Sequence, residues 1–472
     1  MKTTLSPASP DTRMQQPIVE LLQKQRAFFS TGQTLSLDFR KAQLRKLQQA
    51  ISQHEQEIFD ALYADFRKPE LESFVTEVGF IEQEIRLVLN KIGNWVKPKR
   101  VKETLVNFPA KSYIYSEPYG IALIIGPWNY PFQLVFNPLI GAIAAGNCAI
   151  IKPSELTVNT SAVISKIIRK TFDEAYIAAV EGGPETTQQL LAQRFDTIFF
   201  TGSTHVGRIV MKAAAEHLTP VTLELGGKSP AIVAADADLD LTARRIVWGK
   251  FLNAGQTCVA PDYLLVQEEV KEELIQLLGH YITQFYGQEP ATSPDFARII
   301  NGRHFQRLKS MLGNSSIRVG GATNAAENYV APTVLDRVSW EHPVMQEEIF
   351  GPLLPVLTFR EIEDAIRMVN SHEKPLALYF FSSNKEQQEQ VLQHTSFGGG
   401  CINDTLSHLA NPNLPFGGVG GSGIGSYHGQ SSFDVFSNQK SILKRGTWLD
   451  LPLRYPPYKG RLPMLRKVFK WL

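Results

Sequence analysis

Short apolar runs closed by glycine, proline or asparagine alternate with helical patterns through the middle of the chain, and this alternation leaves few folds open. The runs are Gly120-Ile-Ala-Leu-Ile-Ile-Gly126, Asn147-Cys-Ala-Ile-Ile-Lys152 and Thr197-Ile-Phe-Phe-Thr201. A run that never alternates with polar residues fits a strand buried on both faces. Helical spacing over Ala162–Phe172 and His205–His217 separates these runs. Buried strands divided by helices predict a parallel sheet covered on both sides. A second set, Tyr263–Gln267, Leu353–Phe359 and Leu376–Phe381, predicts a second such sheet, with a junction near Gly226-Gly227. The fold class expected is therefore α/β, with two doubly wound parallel-sheet domains.

The first hundred residues read as helices. Leu44, Leu47, Ile51, Ile58 and Leu62 recur at helical spacing between Phe39 and Phe66. Val78, Ile81, Ile85, Leu89 and Ile92 repeat the pattern until Pro98 ends it. Two strand-like stretches, Ser112–Tyr119 and Phe433–Leu443, belong to neither sheet and could pair with each other or with another subunit. A length of 472 residues suits two or three domains. With 48 Lys+Arg against 46 Asp+Glu, nothing in the charge calls for a nucleic-acid partner. Three cysteines build no disulfide framework and have no metal-ligand spacing, so no metal is expected and a reducing compartment is the simpler reading. Met1–Gln16 lacks the apolar stretch of a secretory signal, and no run of about 20 apolar residues occurs, so a cytoplasmic protein is expected.

Five segments could carry chemistry. In Asn253-Ala-Gly-Gln-Thr-Cys-Val-Ala-Pro261, Cys258 lies in a loop-like stretch of small and polar residues. A free cysteine is most often a small core residue, and it serves as a nucleophile only where thiolate is favoured. In Leu223-Glu-Leu-Gly-Gly-Lys-Ser-Pro230, Glu224 interrupts an apolar strand. A carboxyl placed there is either salt-bridged or a general base with a raised pKa. Gly126-Pro-Trp-Asn-Tyr-Pro-Phe132 follows a predicted parallel strand, the edge where doubly wound sheets bind ligands; the Asn129 amide could face an oxyanion or merely make a turn. Phe200-Thr-Gly-Ser-Thr-His-Val-Gly207 lies between a strand and a helix, with amides able to face a phosphate, but it lacks the G-x-G-x-x-G fingerprint. Lys152-Pro-Ser-Glu155 offers a cation and a carboxylate to a ribose, as many surface turns do.

Together these segments resemble the aldehyde dehydrogenase superfamily, in its order along the chain. The resemblance runs from about Leu105 to about Arg445 and adds Glu347-Glu-Ile-Phe-Gly-Pro352, Pro415-Phe-Gly-Gly418 and Ser422-Gly423. Tyr130 after the asparagine, Tyr427-His-Gly429 and Leu451-Pro-Leu-Arg-Tyr-Pro-Pro-Tyr458 resemble its class 3, fatty-aldehyde branch. The resemblance implies a Rossmann-like NAD(P)-binding domain over 1–104 and 120–226 and a catalytic domain over 227–430. It also implies a small β oligomerisation arm from 105–119 and 431–446, a C-terminal tail over 447–472, and a homodimer. By the same resemblance Cys258 is the nucleophile, Glu224 the base and Asn129 the oxyanion donor, helped by the Cys258 amide. Lys152 and Glu155 meet the adenosine ribose, and Gly202, Ser203 and Gly207 lie near the pyrophosphate. Glu348 binds the nicotinamide ribose, while Phe350 and Trp128 belong to the same cofactor site.

The implied reaction oxidises an aldehyde, of hydrophobic kind, to the acid through a thioester on Cys258, with NAD as cofactor and NADP accepted. One rival transfers the acyl group to coenzyme A instead of water. Another is a cofactor-independent cysteine hydrolase, with Cys258 paired to His408 or His428. In residues 461–472, Leu465, Val468, Phe469 and Leu472 share a helical face, with Arg466, Lys467 and Lys470 elsewhere. Such a helix either lies on an anionic membrane surface or docks on protein.

Overall fold

The computed structural model describes residues 12–104, 107–313, 315–450 and 452–470. Its N-terminal part is helical, as the periodicity requires: Thr12–Ser30, Leu37–Gln53, Glu55–Phe66 and Gly79–Trp95. Leu44, Leu47, Ile51, Ile58 and Leu62 are all fully buried. The periodic stretch Phe39–Phe66 is two helices rather than one, because His54 leaves helical dihedrals (φ −112°, ψ 12°) and re-aims the chain. Between Phe66 and Gly79 a short helix, Glu70–Ser73, widens into a π-helical turn, Phe74–Val78. No feature of the apolar spacing announces that turn.

Two sheets follow. The first has the order Gly423–Ile424, Val221–Glu224, Thr197–Thr201, Ile121–Ile125, Cys148–Lys152, Ile177–Ala179. Its pairings are parallel except at Gly423–Ile424, an antiparallel edge strand. Every residue of Ile121–Ile125, Cys148–Lys152 and Thr197–Thr201 is buried, which is why these strands are apolar apart from Lys152, Thr197 and Thr201 at their ends. The second sheet runs Ser316–Val319, Thr333–Asp336, Leu353–Phe359, Tyr263–Gln267, Pro230–Val233, Ala377–Phe381, Gly399–Ile402. It too is parallel apart from its Ser316–Val319 edge. The fold is thus α/β with two parallel sheets, each carrying one antiparallel edge strand, a common variant of the doubly wound plan. The chain crosses from the first sheet to the second over Leu225–Ser229 and returns to the first at Gly423.

A third, antiparallel sheet joins Lys99–Val101, Lys111–Pro118 and Ser437–Lys444. The two late stretches left unassigned by sequence therefore pair with each other, in register from Ser437 opposite Pro118 to Lys444 opposite Lys111. The Phe433–Leu443 strand expected from sequence begins late, because Gln430–Val435 is a helix. Phe433 and Phe436 are both buried, and Ser437 caps the turn by donating to the Phe433 carbonyl. Among the described residues no helix is long and apolar enough to cross a membrane.

Candidate active site

Parallel strands end on one edge, and the first sheet gathers the expected residues there. Glu224 pairs with Thr201, Phe200 with Ile125, and Ile125 with Lys152, so these strand ends lie side by side. From that row spring the Asn129 loop, the Lys152–Glu155 turn and the Gly202–Gly207 segment. Lys152 is buried and its ammonium donates to the half-exposed Glu155 carboxylate at 2.6 Å. Gly202 follows its strand directly. Ser203 caps helix Thr204–Ala215, its hydroxyl accepting from the Val206 amide at 3.4 Å. Gly207 lies in the first turn of that helix, packed on Leu225.

The Cys258 loop begins with three successive left-handed residues, Asn253 (φ 54°), Ala254 (φ 52°) and Gly255 (φ 74°). Left-handed backbone is costly for a residue with a Cβ, so this turn must be held by its surroundings. The Asn253 amide group donates to the Asn129 carbonyl (2.8 Å) and to the Gln256 carbonyl (3.2 Å). The Asn129 Nδ2 donates to the same Gln256 carbonyl at 3.1 Å. Gln256 is fully buried; its amide donates to the Asn253 and Arg298 carbonyls and accepts from the Ile300 amide. Tyr130 and Thr257 share a hydroxyl hydrogen bond of 2.6 Å. Asn129 and Cys258 are thereby carried on two interlocked loops.

Glu224 is buried and neither carboxylate oxygen has a hydrogen-bond partner among the described residues. Burial alone drives its carboxyl well above the usual range. Glu348 lies against Gly226, where any side chain would collide with its carboxylate. Burial, and then the charge of Asp262, push Glu348 up to about 8. The Cys258 thiol is itself pushed up to about 12, first by burial and then by the charges of Glu348 and Glu224. Phe350 has φ 49° and meets the edge of Trp128 at 5.2 Å, while Trp128 also packs on His304 at 4.9 Å.

Several supporting residues escaped the sequence reading. Asp262 receives the Ile349 amide (2.9 Å) and the Lys228 ammonium, tying the Glu348 loop to the Cys258 loop. Arg307 donates to the Glu348 and Ile349 carbonyls. Lys68 and Glu77 form a fully buried ion pair of 2.8 Å, and Glu77 accepts the Phe132 and Gln133 amides that follow the Asn129 loop. Lys228 lies within one of the segments already singled out and Asp262 directly follows another, while Lys68 and Glu77 read in sequence as ordinary solvated charges. Neither histidine of the hydrolase reading is hydrogen-bonded to Cys258: His408 meets Cys401 at 3.5 Å, and His428 stacks on Phe416.

Residues 13–442 match the family model of the aldehyde dehydrogenase family. The chain belongs to the aldehyde dehydrogenase family. This aldehyde dehydrogenase is 52% identical to the 4,4'-diaponeurosporen-aldehyde dehydrogenase of Staphylococcus aureus, over 94% of this chain and 97% of that one. It is 46% identical to the dimeric NADP-preferring aldehyde dehydrogenase of Canis lupus familiaris, over 94% and 99% of the two chains. A solved structure described as the substrate-bound state of Staphylococcus aureus AldH superposes with a TM-score of 0.94, at 51% identity, covering 96% of this chain and 99% of that one. The dehydrogenase is an oxidoreductase acting on aldehydes.

Proposed function

We propose that this dehydrogenase oxidises an apolar aldehyde to the carboxylic acid, with Cys258 as nucleophile, Asn129 as oxyanion donor and Glu224 as general base. The observation that carries the reading is the interlock of the Asn129 and Cys258 loops beside an unpaired, buried Glu224 carboxyl. The Cys258 sulfur, having lost its proton, bonds as thiolate to the aldehyde carbon while the carbonyl π pair moves onto oxygen. Asn129 spends one of its two amide hydrogens on the Gln256 carbonyl, leaving the other for the oxyanion alongside the Cys258 N–H. A thioester on Cys258 then accepts water, whose proton Glu224 takes in its ionised form.

The cofactor is NAD, with NADP accepted, and it supplies the hydride acceptor. Lys152, Glu155, Gly202, Ser203 and Gly207 line the strand edge that would hold its adenosine and phosphates; Trp128, Glu348 and Phe350 would hold the nicotinamide end. The residues fit the group: the Lys152–Glu155 pair and the helix start lie on the one edge where such sheets take dinucleotides. Glu155 disfavours a 2′-phosphate, while the printed name of the Canis lupus familiaris relative supports NADP use.

An apolar substrate is supported by the name of the Staphylococcus aureus relative, and by exposed Leu71, Phe74, Val75 and Trp248 on the helices that flank the Cys258 loop. A homodimer is supported by the relative named dimeric and by Ser437–Lys444, the outer strand of its sheet, with Ile442 and Leu443 exposed. Three free cysteines support a reducing, cytoplasmic setting. The test follows NADH formation with short, aromatic and long-chain aldehydes, in wild type and Cys258→Ala, with and without coenzyme A. NADH and free acid from wild type alone are expected. Activity surviving in Cys258→Ala would remove the nucleophile, and an acyl-CoA product would replace water as the acceptor.

A further inference from the structure

Glu72 lies far from Cys258 in sequence, on the short helix Glu70–Ser73, yet its Oε1 accepts the Asn253 amide at 2.8 Å. That amide opens the left-handed turn leading to Cys258. The turn's other restraints come from its own loop or from the Asn129 carbonyl. Ala254, with no polar atom to offset its conformation, sits in the middle of it. Resting on the reading of Cys258 as nucleophile, we propose that Glu72 is a positioning residue: its carboxylate holds the Asn253-Ala254-Gly255 turn in the shape that presents the sulfur.

The element carrying Glu72 is built for this. It widens into the π-helical turn Phe74–Val78, closed by the Gly79 amide on the Phe74 carbonyl. Bonding five residues apart instead of four brings residues at that spacing nearer to one side. Glu72 and Glu77 both reach inward, one to the Asn253 amide, the other to the Phe132 and Gln133 amides. A single turn of chain thus grips the loop behind the nucleophile and the loop behind the oxyanion donor. Its Lys68 partner adds a second link, since the ammonium lies 4.1 Å from the Tyr130 ring, whose hydroxyl bonds Thr257.

The charged and titratable groups around Glu72 are Lys68, Glu77 and Asp295, with Tyr130 and Tyr286 feeling its charge. Burial pushes the Glu72 carboxyl up to about 7, so its charge changes within the assay range.

The experiment measures kcat, both KM values, and the rate at which iodoacetamide alkylates Cys258 in the free enzyme, followed by mass spectrometry of that peptide. Glu72→Ala is expected to lower kcat and alkylation by about ten- to a hundred-fold, the scale of a displaced reacting group, with the KM for NAD unchanged. Glu72→Gln keeps an oxygen for the Asn253 amide and is expected to restore most of both rates. It is also expected to lose the step near pH 7 that wild type shows above the thiol's own rise. Wild-type rates in Glu72→Ala would overturn the proposal, as would a Gln variant no better than the Ala one. Should the Ala variant not fold, a pH profile of alkylation in Glu72→Gln identical to that of wild type would overturn it alone. Alkylation needs no turnover, so loss of the parent reading through Cys258→Ala would be seen separately.

Discussion

Asn129 contributes to the site twice, through different atoms. Its backbone carbonyl holds Asn253, while its side-chain amide donates to the Gln256 carbonyl. Asn129→Ala therefore keeps the backbone half of the interlock, the Asn253 bond to its carbonyl, and removes the amide together with its bond to the Gln256 carbonyl. Loss of one oxyanion donor typically lowers kcat by about a hundred- to a thousand-fold. That loss is expected here, with far-UV circular dichroism and Tm close to wild type; a kcat near wild type would take Asn129 out of the reaction. At this scale the sequence was legible wherever a residue type stands in a place where it is rare. A carboxyl inside an apolar strand, and a cysteine among small residues, are both visible as exceptions. Glu72 and Lys68 were not, because a charged side chain is ordinarily solvated, and only the tertiary fold buries Lys68 fully and half-buries Glu72. The Cys401–His408 contact was equally hidden, since a strand and the turn after it bring the pair together.

Among the elements, the strands buried on both faces were read from sequence almost to the residue, since burial on each side forces an unbroken apolar run. Phe433–Val435, read with the strand that follows, closes the helix Gln430–Val435 instead, because the buried aromatics Phe433 and, just after the helix, Phe436 fit either period over so short a length. Helix Gly79–Trp95 shows how an element can be tied down at a cost in pH range. Its Glu84 is buried and accepts the Gly429 amide at 2.9 Å, anchoring the segment after Tyr427. Burial pushes that carboxyl up to about 7, only partly offset by the amide. The unfolded chain loses the proton near the ordinary carboxylate pKa of about 4.3. Between that value and about 7 the folded protein keeps a proton the unfolded chain has shed, so this group's contribution to stability falls as pH rises through the window. Glu84→Gln cannot ionise and still offers an oxygen to Gly429. Its stability is expected to match wild type near pH 4.5 and to exceed it at pH 8, on the order of 2 kcal/mol. Thermal melts at the two pH values check this; a difference independent of pH would refute it.

Over the whole molecule, charge is uneven although the totals nearly balance. The last helix, Leu462–Phe469, carries Arg466 and Lys467, with Arg461 before it and Lys470 after. Leu462, Met464 and Phe469 are exposed, so these side chains are not spent on the protein's own surface. Val468 and Leu472, which the sequence placed on the apolar face, lie outside the described side chains. Basic and apolar groups side by side suit an anionic lipid surface. Deleting residues 461–472 is expected to reduce cosedimentation with phosphatidylserine vesicles and to leave turnover of a short aldehyde unchanged. Undiminished sedimentation would end this reading.

The return of the chain to the first sheet has a bearing on how the protein is made. The strand that ends in Glu224 has its outer edge paired by Gly423–Ile424, about two hundred residues later, with the Leu225 amide bonded to the Ser422 carbonyl. While the ribosome translates the intervening stretch, that edge has backbone donors and acceptors with no native partner yet in existence. A nascent chain stalled before residue 423 would expose a ready template for pairing with another chain. The half of the protein that holds the candidate base is finished only when the other half is already written.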